Sequence, residues 1–311
     1  MKKKIFIDGR AGTTGLRIYE RLEKRDDIEL IILSEEERKG VTARKKALND
    51  ADVAFLCLPD DAARESVSLI ENDKTVVIDT STAHRTLEGW VYGFPEISET
   101  IAKVLPKAKR IAVPGCHASG FISLVHPLIE KGIIPPDAYL TCHSITGYSG
   151  GGKKMISEYE DESRDALLDA PRQYALGQTH KHLREMKAIT GLAHEPIFCP
   201  IVSDFYSGMT VTVPIFASQL NAGYTVEDVK EAYAERYTGG IVEYIQTADE
   251  SGLVSGAKCS GLDSMKISVA GNEDRILLIA MYDNLGKGAS GAAVDCLNFV
   301  LGVDKNIGLE I

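Results

Sequence analysis

Residues 9–15 read Gly-Arg-Ala-Gly-Thr-Thr-Gly and follow a short apolar run, Lys4–Asp8. A G-x-x-G-x-x-G spacing between a strand and a helix permits a tight turn and close approach of backbone to a ligand, and the helix it opens offers N–H groups to a pyrophosphate. That function needs a strand–turn–helix context, so the run constrains the fold around it. Glu29–Leu33, Asp52–Leu58, Thr75–Asp79 and Arg110–Val113 are short runs dense in Ile, Val and Leu, as parallel strands covered on both faces require. Thr14–Arg25 and Asp60–Glu71 read as helices between them. The alternation predicts an α/β fold with a Rossmann-like doubly wound parallel sheet.

The pattern changes near residue 117. Tyr139–Ile145, Met209–Ala217, Ile241–Ile245, Lys266–Val269 and Arg275–Asp283 read as longer strands, with helices at Lys153–Leu168 and Val226–Tyr237. This predicts an α+β domain with a mainly antiparallel sheet. Ser290–Val300 reads as a final apolar helix. At 311 residues, about two domains are expected.

Thirty-five Lys and Arg against 45 Asp and Glu leave a net charge of -10. Such a surface repels phosphate backbones and anionic lipid, so neither nucleic acid nor membrane is an expected partner. No stretch approaches the roughly 18 apolar residues of a membrane span. The six cysteines contain no C-x-x-C pair, which argues against a zinc site or a disulfide framework and for a reduced, cytoplasmic protein.

Within that frame Cys116 stands apart. It follows a short strand and a Pro-Gly turn, and an apolar helix runs on from about Ala118 to Ile129. A helix N-terminus favours thiolate over thiol, and its N–H groups suit an oxyanion formed when sulfur attacks a carbonyl. Cys57, Cys142 and Cys296 lie in apolar runs and read as small buried hydrophobes, as do Cys199 and Cys259. His180 and His182 lie in a polar stretch ahead of a helix and are the candidate proton partners. His117 is expected to point away from the thiol. Arg85, after a strand end, suits a bidentate carboxylate. Residues 145–155 place a small-residue loop and two lysines before a helix, which reads equally as a phosphate nest or a hinge. No carboxylate or thiol spacing completes a metal site around the two histidines. For the dinucleotide, Glu35 stands where NAD-binding chains carry an acid, while Ser34, Arg38, Lys39 and Arg44 suit a 2′-phosphate. Spacing leaves NAD and NADP both open.

Taken in order, these segments resemble the N-acetyl-gamma-glutamyl-phosphate reductases, arginine-pathway relatives of aspartate-semialdehyde dehydrogenase, in their shorter (type 2) form. The resemblance rests on the glycine turn, Ile78–Arg85, Trp90–Ile97, Pro114-Gly-Cys116, Thr146–Gly152, His180-Lys-His182 and Asp283–Ala293. It implies that Cys116 attacks an acyl phosphate, that NADPH reduces the resulting thioester to a semialdehyde, and that His180 is the general acid/base. The longer form's His-x-His-x-Pro-Glu is here broken by Arg184 while Glu185 keeps the acid, which leaves the choice between His180 and His182 less well supported.

The resemblance also implies substrate contacts from Arg85, His182, Ser149 and Gly150. For NADP it implies Gly9, Arg10, Ala11, Gly12, Thr13, Thr14, Gly15, Ser34, Arg38, Pro59, Ser81, Asn284, Leu285, Lys287 and Gly288. The domain arrangement it implies is 1–117 plus 285–311 for the dinucleotide and 118–284 for catalysis and assembly into a homodimer or homotetramer. Aspartate-semialdehyde dehydrogenases carry a Gly-His pair after a strand, which the strand at Met209–Ala217 lacks. A non-catalytic dinucleotide sensor would leave Cys116, His180 and Arg85 without a joint purpose.

Overall fold

The computed structural model describes residues 2–311, which fall into two compact units. The first comprises the chain up to Pro95, Glu99–Pro114 and Ala289–Leu309. The second comprises Glu96–Ser98, Gly115–Gly288 and Glu310–Ile311.

The first unit holds strands β1 (Lys3–Asp8), β2 (Ile28–Ile31), β3 (Val53–Leu56), β4 (Val76–Asp79), β5 (Val91–Tyr92) and β6 (Arg110–Ala112). They form one parallel sheet in the order β2-β1-β3-β4-β6-β5. Its helices are α1 (Thr13–Leu22), α2 (Val41–Asp50), α3 (Asp60–Ser68) and α4 (Glu99–Val104). Every residue of β3 and β4 is buried, as their unbroken apolar runs require. The period of two sorts the strand side chains into two cores. Ile5, Ile7, Phe55 and Ile78 face one way, whereas Phe6, Ala54, Leu56 and Val77 face Ala47, Leu48 and Ala63 on the other. The first of these cores also contains Ala292, Ala293, Val294, Cys296 and Leu297 of the last helix, α9 (Gly291–Leu301). Helix α2 escapes a sequence reading because it buries only Ala47 and Leu48, too few for a legible stripe.

The second unit adds β7 (Thr141–Gly147), β8 (Arg172–Gln173), β9 (Ile197–Ser203), β10 (Met209–Phe216), β11 (Thr238–Gly239), β12 (Val242–Tyr244), β13 (Met265–Gly271) and β14 (Arg275–Tyr282). Their order is β11-β12-β13-β14-β10-β7-β9-β8, antiparallel except for the β12–β13 and β7–β9 pairs. The helices are α5 (Cys116–Glu130), α6 (Gly152–Glu160), α7 (Lys181–Thr190) and α8 (Val226–Arg236). The expected helix at 153–168 ends at Glu160. Beyond it Arg164 pairs with Asp169 and Asp204, and Asp165 accepts the Leu167 N–H to open a separate short turn. Strand β9 is hidden in the sequence by Pro200, which cannot donate to a ladder. Among the described residues no helix is long and apolar enough to cross a membrane.

Helix α5 lies on β10 and β14, with most of its length buried. Gly120 lets it approach: a Cβ there would stand 2.6 Å from Val211 Cγ2 and 2.7 Å from the Tyr282 hydroxyl. Gly120→Ala is therefore expected to lower the unfolding free energy by about 1–3 kcal/mol despite alanine's better helix propensity, as measured by chemical denaturation. An unchanged midpoint would show that the helix can withdraw from the sheet.

Candidate active site

In the first unit the glycine turn does what its spacing predicts. Gly9 sits at φ +87°, and a Cβ on it would overlap the Cys57 carbonyl at the end of β3. A Cβ on Gly15 would stand 2.5 Å from the Gly9 carbonyl. Thr13 and Thr14 open α1 behind Gly12, and no side chain caps its N-terminus. Beside this turn lies a cavity of about 430 Å³ between the ends of β1 and β2, with Gly9, Arg10, Leu33, Arg38, Lys39 and Arg44 in its wall. It stands where β2 and β3 diverge on either side of β1, the switch point at which such sheets bind ligands.

The basic residues there differ in availability. Arg44 is bound to the buried Asp8 at 3.0 Å and to Glu65. Arg38 pairs with Glu35, so the acid that NAD would use is spent on a neighbouring guanidinium. Ser34 does not line the cavity; it exchanges hydrogen bonds with Glu37 and so starts the turn that carries Arg38 and Lys39. Arg10 lies over the Tyr19 ring at 4.9 Å. Pro59 precedes the first turn of α3. The Ser81 hydroxyl donates to Asp79 at 2.7 Å and is buried. Turn, cavity and cations together fit a dinucleotide with an extra phosphate.

Arg85 belongs to the same unit. Its Nε donates to the Val113 carbonyl (2.9 Å) and its Nη2 to the Thr80 carbonyl (3.0 Å). These two bonds tie the chain ends beyond β4 and β6.

In the second unit Cys116 is the first residue of α5. The Gly115 N–H donates to the buried Glu185 carboxylate at 2.8 Å. The Cys116 carbonyl accepts from the Tyr282 hydroxyl at 2.6 Å, and that oxygen accepts the Gly120 N–H at 3.0 Å. Burial, and then the charge of Cys116, push the Tyr282 phenol well above its ordinary range, so it stays a neutral donor. Gly288 presses from beyond β14: a Cβ there would lie 3.1 Å from Cys116 Cβ. That loop is held by Asp283, whose carboxylate accepts from Leu285 N, Gly286 N, Gly261 N and Ser207 Oγ.

Cys116 opens into a cavity of about 290 Å³ whose wall includes His117, Thr146, Gly150, Tyr174, His180 and His182. No Asp or Glu is among its lining residues. The geometry of the histidines starts with Gln178. Its side-chain amide makes both bonds of a strand pair with Phe198, donating at 2.7 Å and accepting at 2.9 Å. Gln178 and Ala175 both sit at φ +52°, a strained setting held by those contacts. His180 then caps α7, its Nδ1 accepting the His182 N–H at 3.2 Å. In the neutral ring the proton therefore resides on Nε2.

His117 does not point away from this group, contrary to expectation. Its ring centroid is 5.9 Å from that of His180 and 5.6 Å from that of His182. Its Nδ1 is 2.6 Å from Ser144 Oγ and its Nε2 2.6 Å from the Tyr174 hydroxyl. Burial, with a smaller contribution from His180, pushes its pKa down to about 3.

Other expected contacts are redistributed. Gly150 lines the cavity, but the Ser149 side chain is buried and accepts from Asn284 Nδ2 at 3.0 Å. The Asn284 carbonyl oxygen is taken by Gly208 N at 2.9 Å, and Leu285 is buried. Lys287 is only 1% exposed and pairs with Glu96 at 2.7 Å. Ser149, Asn284 and Lys287 thus join neighbouring segments of this unit through these side-chain groups. Lys153 and Lys154 are exposed. Tyr174 and Tyr282 were not singled out from sequence, and Glu185 only as the acid kept from the longer form's motif. The tyrosines are ordinary residue types in unmarked positions, and only the fold shows them around Cys116. Among the described residues no cluster of His, Cys, Asp and Glu could hold a metal ion.

A buried neutral histidine makes stability depend on acid. The unfolded chain binds a proton to His117 near pH 6.5 and the folded chain only near 3, so this ring removes about 1.4 kcal/mol of stability per pH unit as pH falls through that window. Denaturation curves between pH 7 and 4.5 are expected to be flatter for His117→Asn. Parallel slopes would contradict the burial of a neutral ring.

Comparison with known proteins adds the family. Residues 4–104 match the family described as semialdehyde dehydrogenase, NAD binding domain, and residues 116–284 match semialdehyde dehydrogenase, dimerisation domain. An N-acetyl-gamma-glutamyl-phosphate reductase 2 of Nostoc sp. is 44% identical over 99% of this chain and 99% of its own length. An N-acetyl-gamma-glutamyl-phosphate reductase of Chelativorans sp. is 47% identical over 97% of this chain and 99% of its own. Among solved structures, aspartate semialdehyde dehydrogenase II of Vibrio cholerae complexed with ASA superposes with a TM-score of 0.73 at 16% identity, covering 97% of this chain and 99% of that one. Aspartate semialdehyde dehydrogenase with NADP from Candida albicans gives 0.67 at 18% identity, covering 99% and 100%. These structures share the fold, and the sequence relatives settle the lineage: the chain belongs to the N-acetyl-gamma-glutamyl-phosphate reductase family.

Proposed function

We propose that this chain carries out the NADPH-dependent reductive dephosphorylation of N-acetyl-gamma-glutamyl phosphate to N-acetylglutamate 5-semialdehyde, a step of arginine biosynthesis, through a thioester on Cys116. The observation that carries the reading is a thiol at the first turn of a buried helix, facing a cavity with histidines and no carboxylate in its lining. Such a wall suits an anionic acyl phosphate. Relatives named for this activity span the full chain.

Cys116 Sγ attacks the acyl carbon; a C–S bond forms, the bond to the phosphate oxygen breaks, and phosphate leaves with the electron pair. The N–H groups of the first turn of α5 suit the oxyanion of that step. His180, holding its proton on Nε2, is placed to donate rather than to accept, and gives that proton to the departing phosphate or to the oxyanion. His182, two residues on, has its backbone N–H fixed to His180 and serves the site by holding that ring. When bound, NADPH supplies the hydride that takes the thioester to the aldehyde level. Breaking the C–S bond then releases the semialdehyde and restores the Cys116 thiolate. The residues that would hold the dinucleotide are the turn from Gly9 to Gly15 with Arg10, Arg38 and Lys39, while Ser34 fixes the last two.

We further infer a homodimer or homotetramer formed through the open face of the eight-stranded sheet. Ile197, Phe216, Leu277 and Ile145 are exposed there on alternating strand positions, a pattern that a second copy would cover. Light scattering on the purified protein is expected to give two or four chains; a single-chain mass would overturn this reading.

Purified protein given NADP+, phosphate and N-acetylglutamate semialdehyde is expected to form NADPH. Robust activity with aspartate semialdehyde alone would overturn the substrate. Cys116→Ser is expected to abolish turnover and to keep NADP binding intact in calorimetry, whereas retained turnover removes the cysteine from the chemistry. NADP is expected to be preferred to NAD by about tenfold or more in kcat/KM, the worth of one good charged contact to the extra phosphate.

A further inference from the structure

We propose that Tyr174 is a hydrogen-bond donor of the Cys116 cavity, its hydroxyl proton turned toward the reacting sulfur by His117 and Ser144. The inference rests on the reading of Cys116 as the nucleophile.

The argument is an accounting of protons along Ser144 Oγ, His117 Nδ1, His117 Nε2 and Tyr174 Oη, linked by two contacts of 2.6 Å. A neutral imidazole has one N–H and one lone pair, and each hydroxyl has one proton to give. Two settings are possible. In the first, Tyr174 donates to Nε2 and Nδ1–H donates to Ser144. The Ser144 proton then needs another acceptor, yet Ser144 is 0% exposed and its hydroxyl makes no other hydrogen bond among the described residues. A buried donor left without an acceptor costs roughly 1–3 kcal/mol. In the second setting Ser144 donates to Nδ1 and Nε2–H donates to the Tyr174 oxygen. Every buried proton then has an acceptor, and the Tyr174 O–H is left to point where Tyr174 itself lies, in the wall of the cavity. The second setting is the one this structure can satisfy.

The chain has the materials to keep that setting. His117 is buried with no carboxylate against it, and burial, with His180 beside it, disfavours the charged ring, so it stays neutral. Burial and the charge of Cys116 raise the Tyr174 phenol above its ordinary range, so it remains protonated and able to donate. The ionisable groups packed around the thiol are His117, His180 and His182, the phenols of Tyr174 and Tyr282, and Glu185, which is tied to Gly115 N. Tyr282 already spends its proton on the Cys116 carbonyl. That leaves the Tyr174 O–H as the phenol able to stabilise the thiolate before attack and the oxyanion after it. In these terms Tyr174 is a catalytic residue, and His117 and Ser144 are positioning residues.

Two measurements on the full-length protein test this, and neither uses the substrate. In 15N-histidine NMR, His117 is expected as the neutral tautomer protonated on Nε2; an Nδ1–H tautomer overturns the proposal without any variant. The second is the pH profile of Cys116 alkylation by iodoacetamide, read by peptide mass spectrometry. Tyr174→Phe is expected to slow alkylation about tenfold at pH 7, corresponding to a shift of one pKa unit, with the high-pH plateau unchanged. His117→Leu is expected to do the same, and His117→Gln, whose amide can still donate to Tyr174, to restore most of the rate. An alkylation profile unaltered by Tyr174→Phe overturns the proposal. Absence of turnover with the acyl phosphate would instead sink the proposed reaction and leave both measurements standing.

Discussion

The chemistry of this protein depends on how the first turn of one helix is held. Helix α5 begins with its reactive residue, so any rotation of that turn moves the thiol. Two contacts fix it from different parts of the chain: Glu185 on the Gly115 N–H, and Tyr282 on the Cys116 carbonyl. Both are buried, and both act on main-chain atoms of the turn that carries the sulfur. The rest of the helix supplies rigidity. Its apolar length is buried against β10 and β14, with the hydroxyls of Tyr233 and Tyr237 bonded to the carbonyls of Leu124 and Ser123.

Around that fixed point the site relies on neutral donors and backbone dipoles. Its cavity carries three imidazoles and a phenol but no acid in its lining, and the His180 ring is held to its own helix by a backbone N–H. A wall of this kind favours an anion without presenting a permanent charge that would hold the product. The net charge of -10 is thus irrelevant to the site, since a Debye length of about 8 Å confines most of it to the outer surface.

Much of this was legible in the sequence, and the reasons differ between residues. The glycine turn could be read because Gly9 and Gly15 answer to steric limits that are local in sequence, and the same holds for the unbroken apolar runs of β3 and β4. Cys116 could be read because its strand, turn and helix are contiguous. Tyr174 could not, since its meaning comes from a contact made 57 positions away, and Glu185 could be read as an acid of the histidine motif but not as the partner of Gly115, 70 positions away. The contacts of Arg85 and Lys287 were hidden for a related reason: nothing local in the sequence reveals that a cation after a strand end also bonds main-chain carbonyls or a distant glutamate. His117 was misjudged because the first turn of α5 does not throw its second side chain outward; Ser144 and Tyr174 draw it in.

The Lys287–Glu96 pair bears on how this sequence can drift over time. An ammonium only 1% exposed cannot be left alone, and removing either partner of a buried pair typically costs about 3–5 kcal/mol, a large share of a domain's total stability. The two positions lie 191 residues apart, yet a change at either one first passes through a destabilised intermediate. They are bound to be kept together or replaced together. In a family whose members differ at more than half their positions, a joint change at 96 and 287 would be the visible trace of that constraint.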